Sequence, residues 1–203
     1  MEANIRQSAL EGVGPAFDPR QLMAVRDKTR QAIVLIAAAM QPGMLEEDAV
    51  EQAKDILAER GMLRGWHDVY VRFGRNTLKT FGAASDPGVR LGDDDIFFID
   101  IGPVWKQWEG DGGDSFVTGA DPEMARCAAD ARATARGWEL NLDLSGHRLA
   151  DFPHAAIHEG PLAEVDFTPA RMLWVLEIHI RHPSRPFGAF FEDMLLEDAC
   201  FAE

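Results

Sequence analysis

Residues 96–102 read IFFIDIG, and the position of Asp100 within that run decides how the rest of the chain is read. An apolar stretch of β-branched and aromatic residues bounded by turn formers predicts a buried strand. A carboxylate inside such a strand costs several kcal/mol of desolvation unless a cation or a donor meets it. Glu177 in VLEIHI and Glu192 in AFFEDML repeat the predicament among strand-forming neighbours. Three buried acids without as many basic partners indicate a cation site. Asp111, eleven positions after Asp100, lies in the glycine-rich EGDGGDSF, where a hairpin return can bring it beside Asp100, with Asp114 as its nearest rival. His147 and His154 stand seven apart in SGHRLADFPH. Oxygen-rich ligation with one imidazole suits Mn, Fe, Co or Zn better than a structural zinc, which prefers thiolates and histidines.

Taken singly, each acid is also compatible with a solvent-facing or Arg-paired position. His67, His158, His179 and His182 lack a comparable context and read as surface or satisfied core residues. The Asp93-Asp94-Asp95 run reads as a solvated turn, and the Met and Phe residues of MLW, FGAFF and FEDML read as core.

Outward from IFFIDIG the chain alternates helices and strands. Asp18-Pro19 is a helix-start signature, and the apolar residues Leu22, Val25, Ile33, Val34 and Ile36 predict a helix from Pro19 to Met40. A second amphipathic pattern runs from Leu45 to Arg60, closed by Gly61. Strands are expected at VYVRF after Asp68, around Asp114 to Thr118, and in LWVLEIHI and FGAFFEDMLL. Between them, Asp121-Pro122 opens an alanine-rich helix expected to reach Leu140. No repeat, low-complexity tract or linker divides the chain, so the pattern predicts one α+β domain.

The 203 residues are 46% hydrophobic, enough for a sizeable core. The 34 Asp plus Glu outnumber the 20 Lys plus Arg, and a net charge of −14 argues against nucleic acid and anionic lipid as partners. The longest apolar stretch, AIVLIAAAM at 32–40, falls short of the roughly 20 residues that span a bilayer. The first residues, MEANIRQSALEG, show no secretory pattern, and Cys127 and Cys200 are too few for a disulfide framework; the cytoplasm is the expected compartment.

The ordered series FFIDIG, EGDGGDSFVTG, GHRLADFPH, VLEIHI and FFEDML resembles the metal-binding series of the pita-bread metallohydrolases, the family of methionine aminopeptidase, aminopeptidase P, prolidase and creatinase. In that family a strand Asp is followed eleven residues later by a second Asp, itself followed by Phe at plus five and Gly at plus eight. Phe116 and Gly119 meet that spacing from Asp111 and select it over Asp114. Gly146-His147 with His154, then Glu177, then Glu192-Asp193, continue the series, and Pro42-Gly43-Met44 resembles the family's helix connection. The likeness covers roughly residues 18–198.

The resemblance implies a pita-bread (creatinase/aminopeptidase) fold of class α+β, in which helices pack on a curved antiparallel sheet. It implies an N-terminal arm at 1–17 and a single catalytic domain at 18–203. It further implies two divalent metal ions (Mn, Fe, Co or Zn), about 3.5 to 4 Å apart. Asp111 and Glu192 would bridge them, Asp100 would complete one site, and His147 and Glu177 the other. Glu177 would move a proton, and His154 would donate a hydrogen bond to the developing oxyanion. His154, Asn76 and Phe81 are the expected substrate contacts.

The chain departs from the family pattern at three places. Gly74-Arg75-Asn76 is recognisable, but the histidine expected downstream of it falls at or near Phe81, with no replacement between His67 and His147. The family's Glu-Pro is Glu177-Ile178, and the Arg before the last glutamate is Phe190 or Phe191. The function expected is therefore metal-dependent cleavage of a C–N bond in a short peptide, amide or related small molecule, by a homodimer. The alternatives are a creatinase-like amidinohydrolase or metal-dependent lyase on the same fold, and a non-catalytic binding module.

Overall fold

The computed structural model describes residues 16–62, 65–133, 137–141, 147–149, 156–157 and 174–196. Helix α1 spans Pro19–Ala39; the Asp18 side chain accepts from the backbone N–H of Arg20, and Pro19 occupies the first turn, where its missing N–H costs nothing. Its inward stripe is Leu22, Val25, Thr29, Ala32, Ile33 and Ile36. Helix α2 covers Glu46–Glu59, with Glu46, Glu47 and Asp48 in the first turn, where the helix dipole favours negative charge. Helix α3 is Pro122–Ala133. The expectation that it reaches Leu140 is corrected: Gly137 takes φ +84°, and Glu139–Leu140 is a strand paired with residues 180–181.

Ten strands complete the described fold: β1 Tyr70–Phe73, β2 Ile96–Ile101, β3 Val104–Trp105, β4 Trp108–Glu109, β5 Gly112–Val117, β6 Glu139–Leu140, β7 His147–Arg148, β8 Ala156–Ile157, β9 Val175–Arg181 and β10 Gly188–Met194. Six form one antiparallel sheet in the order β1-β2-β5-β10-β9-β6. Strand β5 starts two residues before the expected Asp114, because Ile101 pairs with Gly112.

The two-residue period of a strand sorts the sheet's side chains onto two faces. Val71, Phe73, Phe97, Ile99 and Ile101 pack with Ala32, Ile33, Ile36, Ala53 and Leu57 of α1 and α2. Ile180 and Ala189, a registered pair, pack with Cys127, Ala128 and Ala131 of α3. Helices therefore cover one face.

The opposite face carries two cross-strand rows. One reads Tyr70, Asp100, Gly113, Glu192 and Glu177, each residue in register with the next. The row beside it reads Arg72, Phe98 and Ser115, continued by the registered pair Phe190 and His179. Gly113 in the first row has to lack a side chain, because a Cβ there would lie 2.4 Å from the Phe190 ring and 3.1 Å from the Ile99 carbonyl oxygen. Three carboxylates thus share one row with a gap in its middle, and Asp111 enters at that gap from the start of β5.

Candidate metal centre

Asp100, Asp111, His147 and Glu192 are buried, and they converge with Glu177. Nε2 of His147 lies 3.2 Å from Asp111 Oδ2, 3.3 Å from Glu177 Oε1 and 3.8 Å from Glu192 Oε1. The structure brings together all five ligands expected from the sequence. It also separates Asp111 from its rival: Asp114 has the opposite strand parity and faces α1, where Arg30 Nη2 donates to its Oδ2 at 2.8 Å.

A sixth residue stands in the cluster. Nε2 of His67 is 3.2 Å from Asp111 Oδ1 and 3.6 Å from Asp100 Oδ1, while its Nδ1 sits 2.6 Å from the Asp68 carbonyl oxygen. The reading of His67 as a surface or satisfied core residue is corrected. The His67 ring packs edge-on against Phe81, with centroids 5.7 Å apart. Two features deliver it there. Gly65 bridges Pro103, and the Trp66 N–H donates to the Gly102 carbonyl, which fixes the loop across the end of β2. Gly102 leaves room for the ring, since a Cβ there would lie 2.2 Å from His67 Cδ2.

Among the described residues, two groups of side chains could hold a metal ion, His67, Asp100 and Asp111, and Asp111, His147 and Glu192, with the donor atoms of each within 4.8 Å of one another. Asp111 belongs to both, its Oδ1 toward His67 and its Oδ2 toward His147. Asp111 Oδ2 and Glu192 Oε2 are buried and make no aligned hydrogen bond, a costly arrangement unless a cation takes up the lone pairs. Carboxylate oxygens and imidazole nitrogens, in a set without thiolates, fit a divalent Mn, Fe, Co or Zn ion.

Without such an ion the charges hold protons. Burial, reinforced by Asp111 and Glu177, pushes the Asp100 carboxyl up to about 7 against the pull of His67. Burial and the neighbouring acids push Glu192 well above the usual range. Burial opposes the charge on His67, but Asp111 and Asp100 outweigh it and raise its pKa to about 9; Asp111, Glu177 and Glu192 likewise raise that of His147. Asp111 is driven the other way, to about 2, because its contacts with His147 and His67 exceed the cost of its burial.

These shifts give the metal-free protein a pH-dependent stability. His67, raised from 6.5 to about 9, stabilises the fold fully below 6.5 and loses that contribution as pH rises through 9. Asp100, raised from 3.8 to about 7, has the same sign and loses its contribution between those values. Asp111 has the opposite sign, but its contribution is lost only as pH falls through about 2. In chelator, the Tm is expected to fall as pH rises from about 6 to 9, and saturating divalent metal is expected to remove the fall. A chelated Tm that stays level over that interval contradicts the charge assignment.

The remaining expected site residues divide. Phe81 is 58% exposed and lines a pocket beside Asp100 and Glu177. Asn76 is fully buried; its amide donates to Glu46 Oε1 and the Asp86 carbonyl and accepts from the Asp86 N–H, so its side chain braces a turn and does not line that pocket. His154, like His158, lies outside the described residues. His179 is buried and satisfied, with Nε2 at 2.7 Å from the Thr77 carbonyl and Nδ1 at 3.0 Å from the Asn141 amide nitrogen.

The family model of metallopeptidase family M24 matches residues 20–139, more than half of the chain, and the chain belongs to that family. Solved structures with the same fold include a prolidase from Pyrococcus furiosus (14% identity, TM-score 0.66, 95% of this chain and 64% of that one). An X-Pro aminopeptidase from Thermotoga maritima MSB8 is 16% identical at a TM-score of 0.70, over 96% of this chain and 62% of that one. An Xaa-Pro dipeptidase from Bacillus anthracis is 15% identical at a TM-score of 0.66, over 97% and 62%. This chain therefore spans somewhat less than two thirds of the length of these structures. No curated protein matches it. The pita-bread fold expected from the sequence is the fold observed. Among the described residues, no helix is long and apolar enough to cross a membrane.

Proposed function

We propose that this chain is a metal-dependent hydrolase that holds two divalent ions and cleaves a C–N bond in a short peptide, amide or related small molecule. The observation that carries the reading is the pair of ligand groups sharing Asp111, with a buried, unsatisfied oxygen on Asp111 and another on Glu192. His147, Glu177 and Glu192 would hold one ion and Asp100 with His67 the other, with Asp111 common to both groups. When bound, such ions lower the pKa of water toward neutrality and polarise the bond under attack.

The chain's own groups supply the rest. Glu177 touches His147 and lines the pocket, which supports a role in which it would take a proton from the nucleophile and hand it to the leaving nitrogen. His154, outside the described residues, would serve as the oxyanion donor that the resemblance implies. Phe81 would form the outer wall against the substrate. Residues 18–203 would act as one catalytic domain, in the cytoplasm and as a homodimer.

Phe81 in place of an imidazole favours a second reading, a creatinase-like amidinohydrolase or a lyase. The two are separated by products. Mn- or Co-loaded protein is expected to release a free amine from short peptides or amides, and chelator to stop it. Release of urea, or of an unsaturated product without consumption of water, would select the second reading. No turnover of any of these substrate classes by protein shown to contain metal would refute the hydrolase assignment.

A further inference from the structure

Beside the carboxylate row lies a buried cation that the reading above does not use. Arg72 projects from β1 onto the same sheet face as Asp100, is 2% exposed, and ranks among the largest fully buried side chains described. Its Nη2 donates to the Ala83 carbonyl at 2.7 Å. Its Nε and Nη1 are buried with no hydrogen-bond partner, which leaves three N–H donors of the five unspent. The guanidinium lies 4.8 Å from the Tyr70 ring centroid and 6.0 Å from that of Phe98, contacts that orient the charge without satisfying its donors. The pocket it lines is also lined by Asp100, Glu177, Phe81 and Phe190.

A buried guanidinium with idle donors is costly, and the cost is removed by an acceptor that arrives with the ligand. The nearest resident acids do not serve. Asp100 and Glu46 attract Arg72 through space, but neither bonds its free nitrogens. The second cation of the pocket, Lys79, is held by Asp86 at 2.9 Å. Among the described residues of the pocket, a cation without a bonded acid, set among aromatic rings, matches a single negative charge.

We infer that the substrate carries a carboxylate, bound by Arg72, on the side of the molecule remote from the bond placed over Asp100 and Glu177. The inference deepens the metallohydrolase reading and rests on it. Substrates lacking that charge would bind weakly, because the Arg72 donors would then stay unpaired in the complex.

The test uses the full chain loaded with Mn(II) and two probes that share a metal-seeking hydroxamate, glutaric monohydroxamic acid and its neutral carboxamide. Isothermal titration is expected to show the carboxylate probe binding about 10- to 100-fold more tightly. The preference should disappear in Arg72→Met and survive in part in Arg72→Lys. The wild-type comparison stands even if a variant fails to fold. Equal binding of the two probes overturns the inference and leaves the metallohydrolase reading intact; so does a preference that persists in a folded Arg72→Met, since the anion is then held elsewhere. Failure of the wild type to retain Mn(II) or to bind either probe overturns both.

Discussion

Asp111→Asn is expected to weaken metal binding at both positions, by at least about 100-fold, and to abolish turnover at ordinary metal concentrations. The physical reason is the division of one carboxylate between two ligand groups: Oδ1 stands 3.2 Å from His67 Nε2 and Oδ2 stands 3.2 Å from His147 Nε2. An amide at this position keeps one acceptor and turns the other into a donor, and it removes the negative charge that offsets two cations. Replacing Asp100 or His147 touches one group each and should affect the corresponding position first. Asp114→Asn provides the control, because it breaks an ion pair with Arg30 on the helical face and leaves the ligand set intact. Manganese titrations followed by calorimetry measure both. Parent-like affinity in Asp111→Asn would show that the two groups do not share a ligand.

Glu177→Gln is expected to reduce kcat by about 100- to 10,000-fold at saturating metal, the usual effect of removing a general acid or base. Glu177 is also placed as a ligand, so metal content has to be measured alongside turnover. Loss of kcat with near-parent metal content marks proton transfer. Parallel loss of both would reduce Glu177 to a ligand, and unchanged kcat would remove it from the chemistry. Glu192→Gln separates the cases further, since Glu192 is 3% exposed and does not line the pocket.

Much of this centre is legible in the sequence because buried charge is conspicuous there. Asp100, Glu177 and Glu192 each interrupt a strand-forming run, and the register places all three in one row. Asp111 and Asp114 are three residues apart, an odd separation, so a strand sends them to opposite faces. Spacing chose between them, and the structure supplies the reason.

His67 was not legible, because its place depends on the bridge between Gly65 and Pro103 and on the empty Cβ position at Gly102, contacts that no local period encodes. Arg72 has the same difficulty in another form. It belongs to an evident strand, yet only the pairing of Tyr70 with Asp100 assigns it to the face of the carboxylates. Asn76 fits the family's substrate segment by pattern, and Glu46 of α2 draws it inward. The overrun of the third helix has a simpler origin, since alanine-rich sequence favours helix while Gly137 and the pairing of Glu139 with Arg181 favour a turn and a strand.

The most direct measurement is the metal content of the chain, by elemental mass spectrometry on protein purified without a metal-affinity step and then equilibrated with Mn or Fe, beside His147→Ala. The expected result is about two equivalents per chain in the parent and about one in the variant. A parent that binds no metal under those conditions, or a variant indistinguishable from it, would contradict the assignment of this cluster as a metal centre.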